Sequence, residues 1–379
     1  MPHQTSDRAG VYIKQLTGYQ AFIPKPLPPD PPLVLSPQLL DMLSAADRAI
    51  GRLDSATELL PNPDLFIRMY VRKEAVYSSQ IEGTQASLTD LLEYEAGRVR
   101  RDNPEDTKEV SNYVAAMNFG LERLASLPLS SRLLKEIHAK LLEGVRGSEK
   151  DPGSFRRYQN WIGPTGGSMN DAVFIPPPHQ DINKIMGELE SFLHDQNPLP
   201  PLLKCGLAHS QFETIHPFLD GNGRMGRLLI TFLLCWQGTL KRPLLYLSYY
   251  FKKHRQEYYE RLQAVRDQGS WEAWLLFFLN GVRDVAKEAM DKARKIQNLR
   301  DEHRQLVGGR SELAQKLLDL LFINPVLDVK LASSHLACSY QGANNVIKRF
   351  LENNLLYQKD ISERYRFFIY KDYLDILGE

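Results

Sequence analysis

Residues 216 to 227 read His-Pro-Phe-Leu-Asp-Gly-Asn-Gly-Arg-Met-Gly-Arg, which brings an imidazole, a carboxylate, a glycine-bracketed asparagine and two guanidiniums into one short run. Gly221, Asn222 and Gly223 can bring bare backbone N–H groups against an anion, because glycine carries no Cβ and tolerates unusual dihedrals. The run from Arg224 to Trp236 is apolar enough for a buried helix, so this turn caps a helix N-terminus. Unpaired N–H donors and the positive dipole end together bind phosphate there. Arg224 and Arg227, with Met225 and Gly226 between them, share one face of the first helical turn and can fork onto phosphate oxygens. Asp220, the acid of this cationic nest, suits a magnesium ion bridging phosphates. His216, just before the turn, can take a proton from a hydroxyl near neutral pH. A plain glycine turn capping a core helix is the simpler reading, but it leaves the fixed order of imidazole, acid, nest and arginines unexplained.

The stretch matches the Fic-domain signature His-x-Phe-x-Asp/Glu-Gly-Asn-Gly-Arg-x-x-Arg at every specified position. The resemblance implies an all-helical core and an adenylyltransferase that moves AMP from ATP onto a hydroxyl side chain of a target protein. It implies His216 as the general base, Mg²⁺ on Asp220, and nucleotide phosphates on the backbone N–H groups of Gly221, Asn222 and Gly223, the Asn222 side chain, Arg224 and Arg227. A second motif lies upstream, Ser78-Ser-Gln-Ile-Glu82-Gly83. Ser78 and Glu82 share a helix face, and Gly83 can end that helix. On its own Glu82 is a solvated acid near a helix end; beside the signature, Ser-x-x-x-Glu-Gly resembles the family's inhibitory motif. The resemblance implies that Glu82 pairs with Arg227, occupies the guanidinium meant for the γ-phosphate, and places the protein in the self-inhibited class.

The elements that must position these residues read as mostly helical. Residues 20 to 35 are proline-dense and predict an extended path. Helical spacing follows from Ser36 through Leu53, twice between 63 and 95, and over 107–126 and 131–143, where His138 reads as a packed structural histidine. Arg98 to Asp106 is a charged connection. Residues 151 to 180 carry turn residues around two short extended pieces and predict a β-hairpin. The resemblance makes that hairpin the flap, whose edge pairs with a target segment, with Val173 and Phe174 facing target or nucleotide. Helices follow over 181–196, 202–215, the signature helix, a long helix after Leu247, and 271–307. Tyr258-Tyr259 resembles the family's adenine-side segment; core or rim packing is the alternative for each. Phe218 reads as a buried anchor for the signature loop.

Gly308-Gly309 suggests a domain boundary. Beyond it, three helical patterns and two short strands resemble a winged-helix domain, with Gly342 to Asn354 as the helix that would enter DNA. Its acids and bases nearly balance, so the electrostatic footprint of DNA binding is weak. The expected organisation is residues 1–105 carrying the inhibitory helix, 106–307 as an all-α Fic core with its hairpin flap, and 308–379 as a winged-helix-like α+β domain.

The 379 residues carry a formal charge of +1, which argues against a chain-wide nucleic-acid or membrane field. Cys205, Cys235 and Cys338 are far apart in apolar patterns, as in a reducing compartment. No Cys-x-x-Cys, His-Glu-x-x-His or Walker A motif occurs. His209 is seven residues from His216 without a third ligand, which argues against a metal there. No secretory signal or bilayer-length apolar run is visible, so a cytoplasmic protein is expected. A homodimer is expected from resemblance alone. Two rivals stay open: a nucleotide-sensing regulator acting through the winged helix, and an enzyme that removes AMP from modified targets.

Overall fold

The computed structural model describes residues 6, 8–16, 18–58, 63–97, 104–164, 166–196, 199–307, 311–358 and 366–378. Paired strands come first, where the sequence reading has only an extended path. β1 (Gly10–Lys14) lies antiparallel to β2 (Gln20–Pro24), with Val11 opposite Ile23 and Ile13 opposite Ala21. Beyond residue 24 the prolines, which cannot donate to a ladder, form no strand, and the chain bends at residues 27–28 and 30–31, with cis bonds before Pro28 and Pro31, rather than keeping to the expected extended path.

Helices dominate from there. α1 (Pro37–Glu58) buries Leu39, Leu43, Ala46, Ile50 and Leu53 of the apolar positions at helical spacing, while Leu40, which the spacing also includes, is exposed. α2 (Pro63–Ile81) and α3 (Leu88–Glu95) follow, the latter closed by a Ser87–Asp90 capping box. α4 (Pro104–Arg123), α5 (Ser131–Leu141) and α6 (Ile182–His194) lead to α7 (Pro201–Ile215) and α8 (Asn222–Trp236). α9 (Ser248–Lys253), α10 (Arg255–Gln268) and α11 (Trp271–Leu306) complete the helical body. α7 is buried on every side from Leu202 to Ile215, which is why its sequence shows apolar residues without a clear stripe.

The charged connection expected at residues 98–106 lies largely outside the described residues, as does Gly308-Gly309. Beyond them come α12 (Glu312–Ile323), β3 (Val326–Asp328), α13 (Val329–Leu336), α14 (Tyr340–Glu352), β4 (Tyr357–Gln358), β5 (Phe367–Ile369) and α15 (Lys371–Leu377). The three strands form one antiparallel sheet in the order β3-β5-β4. β3 and α15 are additions to the sequence reading; Val326-Leu-Asp328 is too short to show a period.

The region 151–180 departs most from expectation. Its two extended pieces meet in one antiparallel bridge, Ile162 to Phe174, with a 3-10 turn at Met169–Asp171, rather than in a regular hairpin. Pro164 and Pro176 to Pro178 withhold N–H donors, and Ser168 and Asp171 satisfy each other locally. Among the described residues, no helix is long and apolar enough to cross a membrane.

Candidate active site

The site forms where α7 ends and α8 begins. Pro217 disfavours helical dihedrals at the residue before it, and His216 takes up a left-handed conformation, φ 50 and ψ 58. A non-glycine residue there costs on the order of 1–3 kcal/mol and persists only where neighbours fix it. They do: the His216 carbonyl accepts from Arg156 Nε at 3.0 Å and from Asn160 Nδ2 at 3.3 Å. The Asn160 amide also reaches the Phe218 carbonyl at 2.8 Å, and Arg156 N donates to Pro217 O at 2.9 Å. Phe218 is fully buried, its ring stacked on His138 at 3.8 Å between centroids. His138 Nδ1 accepts the Gly153 N–H at 2.9 Å, so its Nε2 carries the proton and donates to Asp220 O at 3.0 Å. Burial presses the His138 pKa down to about 4, so the ring stays neutral in this role. His138 is thus a packed histidine that also fixes the loop.

Asn222 differs from expectation. Its side chain is buried and clamps the loop, accepting from Phe218 N and donating to Phe218 O, both at 2.8 Å. Only its backbone N–H remains for an anion. Gly221, at φ 73, is the N-cap of α8, and glycine has no side chain to close the first N–H groups. These donors and the dipole end form an anion cradle.

A carboxylate sits at this cradle. Glu82 Oε1 lies 2.7 Å from Arg227 Nη2, and a Cβ added to Gly223 would stand 2.2 Å from the same oxygen. The carboxylate therefore rests on the first turn of α8. Arg227 is almost fully buried and is further held by Ser78, with Nε to Oγ at 2.8 Å and Nη2 to the Ser78 carbonyl at 3.0 Å. Burial pushes the Glu82 carboxyl up, and the Arg227 charge outweighs it, leaving it below the ordinary glutamate range. Gly83, at φ +101, turns the chain away just after α2.

Arg224 carries its own acid, absent from the sequence reading. Glu109 Oε2, on α4, lies 3.3 Å from Arg224 Nη1, and Arg146 reaches Glu109 Oε1 at 3.3 Å. Asp220 Oδ2 is paired with Lys150 Nζ at 2.9 Å. One carboxylate beside a phosphate cradle fits magnesium, which takes few protein ligands and the rest from phosphates and water. Among the described residues, no group of three or more metal-ligating side chains gathers, at this site or elsewhere.

The His216 ring is half-buried. Burial, with the Arg156 and Arg266 charges, presses its pKa down to about 3, so the ring is neutral at physiological pH. Glu213, one turn earlier, moves oppositely: burial pushes it up to about 7 against the pull of Arg227. A Cβ on Gly226 would meet Glu213 Oε1 at 2.2 Å, so Gly226 is the glycine that admits this acid. Met225 is fully buried.

The remaining expected residues divide. Tyr258 is buried, its hydroxyl 2.9 Å from His209 Nε2, while His209 Nδ1 meets Gly226 O at 2.9 Å. The pair braces α8, with Tyr258 buried, whereas Tyr259 is 41% exposed. Val173 is 69% exposed, but Phe174 is turned inward at 2%, under Arg266 at 3.9 Å and beside Phe22. Extended backbone alternates its side chains, so only Val173 can face a partner. Sequence spacing carried no signal for Glu109, Lys150 or Arg156, which come from separate elements.

Residues 40–122 match the family described as Fic/DOC family N-terminal, and residues 128–234 match the Fic/DOC family. Among curated proteins, the chain is 29% identical over 197 residues to "Protein adenylyltransferase Fic" of Aedes aegypti, covering 50% of this chain and 36% of that protein. It is 28% identical over 243 residues to the protein of the same name from Drosophila mojavensis, covering 61% of this chain and 44% of that one. The chain thus spans less than half the length of these relatives. Among solved structures, a Fic family protein from Desulfovibrio desulfuricans G20 superposes with a TM-score of 0.58 at 22% identity, covering 89% of this chain and 97% of that one. Fic-1, residues 134–508, from C. elegans gives a TM-score of 0.53 at 21% identity, covering 69% and 75%.

Proposed function

Because the chain belongs to the Fic/DOC family, we propose that it is a protein adenylyltransferase restrained by its own Glu82. The observation that carries the reading is the Glu82 carboxylate seated on Arg227 and against Gly223, at the anion cradle of α8. A carboxylate is the side chain that best mimics a phosphate oxygen pair on a guanidinium.

In the reaction, a Tyr, Thr or Ser hydroxyl of the target loses its proton to His216 as its oxygen attacks the α-phosphorus of ATP. The bond to the α–β bridging oxygen breaks and pyrophosphate leaves. The cradle N–H groups of Asn222 and Gly223 face the charge that develops on the phosphates, while the Gly221 N–H is held by Asp220 Oδ1 at 2.6 Å. Arg224 takes the β-phosphate, and Arg227 takes the γ-phosphate once Glu82 withdraws. Asp220 would hold Mg²⁺, which would supply charge neutralisation for the departing pyrophosphate. Target segments meet the protein along the 162–174 stretch near exposed Val173, and Tyr259 rather than Tyr258 lies at the adenine side. Residues 308–379 act as a winged-helix-like unit, a reading supported by the order α12, β3, α13, α14, β4, β5.

The test is the intact mass of Glu82→Gly protein incubated with ATP and Mg²⁺. An increase of one AMP unit per modified site is expected, at a rate orders of magnitude above wild type. His216→Ala in that background should lose the increase and keep ATP binding. Equal labelling of Glu82→Gly and wild type sinks the inhibitory role, and transfer surviving His216→Ala removes the histidine as base.

A further inference from the structure

Asp220, assigned above to magnesium, already has a cation against it. Its Oδ1 accepts the Gly221 N–H at 2.6 Å and lies 3.6 Å from Arg224 Nη2. Oδ2 is the oxygen left for a metal, and Lys150 Nζ stands on it at 2.9 Å. The lysine is delivered by a built turn. Ser148 N donates to Val145 O at 2.9 Å and Lys150 N to Gly147 O at 3.0 Å. Gly147 has φ +88, and a Cβ there would lie 3.1 Å from Asp220 Oδ2, so the backbone passes directly against the carboxylate. Only glycine combines that dihedral with that approach.

We propose that Lys150 is a positioning residue that holds the metal place on Asp220 in the nucleotide-free protein and gives it up when a magnesium-bound nucleotide arrives. The proposal rests on the assignment of Asp220 as the metal ligand. Magnesium sits about 2.0–2.1 Å from its oxygens, so an ammonium already at hydrogen-bond distance on Oδ2 and a divalent ion exclude each other by volume and by charge. Lys150 is the movable partner: its side chain is 44% exposed, while that of Arg224 is 2% exposed and fixed by Glu109. The nucleotide removes the conflict, because its phosphates complete the metal's ligand set and offer the displaced ammonium a second anion. Free metal is therefore held off, and metal enters with the triphosphate. The other charges facing Asp220 are Arg224 in the first turn of α8, Arg146 through Glu109, and Glu109 itself.

Mn²⁺ binding to the nucleotide-free full chain, read by the loss of free Mn²⁺ electron paramagnetic resonance signal, tests this. Lys150→Met should tighten Mn²⁺ by about tenfold, the scale of one close charge contact near a protein surface. Lys108→Met removes an equal charge nearby, where Lys108 Nζ is bonded to Gly144 O at 2.7 Å and not to Asp220; it should leave Mn²⁺ affinity within about twofold, as expected of a screened charge. Binding in Lys150→Met no tighter than in wild type overturns the proposal, and so does an equal gain in Lys108→Met. Asp220→Asn added to Lys150→Met should abolish the gained binding. If the double variant keeps it, the metal lies elsewhere and the assignment of Asp220 falls as well.

Discussion

Glu213 is the acid that sequence spacing does not flag and burial makes consequential. Its Oε1 is buried, without a hydrogen-bond partner among the described residues, beside Gly226 and one turn before His216. Its folded pKa is raised to about 7 from 4.5. Between those values the folded state keeps a proton that the unfolded state has lost, so stability from this group falls as pH rises through that window. Glu213→Gln cannot ionise. Its stability relative to wild type should therefore be greater at pH 8 than at pH 5, measured as the difference in urea midpoints. A difference independent of pH would mean that Glu213 is ionised in the folded protein.

α2 is the element on which the proposed restraint depends, because its last turn carries Ser78 and Glu82 follows its end. Ser78→Ala removes the hydroxyl that accepts from Arg227 Nε at 2.8 Å but keeps the bond to the Ser78 carbonyl and the pair with Glu82. A hydrogen bond to a charged group contributes about 1.5–3 kcal/mol. Loss of part of that should raise self-labelling with AMP roughly tenfold, since about 1.4 kcal/mol is a factor of ten, and less than Glu82→Gly does. Initial labelling rates check it. A rate at or below wild type would show that Ser78 does not help hold Arg227 in the restrained arrangement.

Across the molecule, the C-terminal unit docks on this same helix. Arg72 Nη1 donates to Ile323 O at 3.1 Å, and the buried Lys73 ammonium donates to the Leu377 carbonyl, which Lys292 also reaches at 3.3 Å. Lys73 lies over the Tyr77 and Tyr246 rings at 5.6 and 5.2 Å, so it joins α2, α15 and the residues ahead of α9. Lys73→Ala removes one of the two ammonium donors to the Leu377 carbonyl, and a hydrogen bond to a charged group contributes about 1.5–3 kcal/mol. Thermal denaturation should show a lower midpoint. Hydrogen exchange should speed up both in α15 and over residues 78–84. Acceleration confined to α15 would show that α2 is braced without the C-terminal unit.

The sequence by itself determined the chemistry at the signature, because that chemistry depends on residue types at short spacing within one chain segment. His216, Asp220, the glycine nest and the two arginines are local facts, and the helices on either side follow from apolar runs, though α7, buried all round, shows no stripe. The pairing of Glu82 with Arg227 was legible only through resemblance, since 145 residues separate them. Tertiary structure decided what reaches each group. It turned the Asn222 side chain and Tyr258 to bracing, buried Phe174 while leaving Val173 outside, and reduced the expected hairpin to one bridge. It also brought Glu109 to Arg224, Lys150 to Asp220 and the C-terminal unit to α2. Those contacts join separate elements and leave no periodic trace, and burial, which sets the pKa values of His216 and Glu213, exists only once the elements have packed.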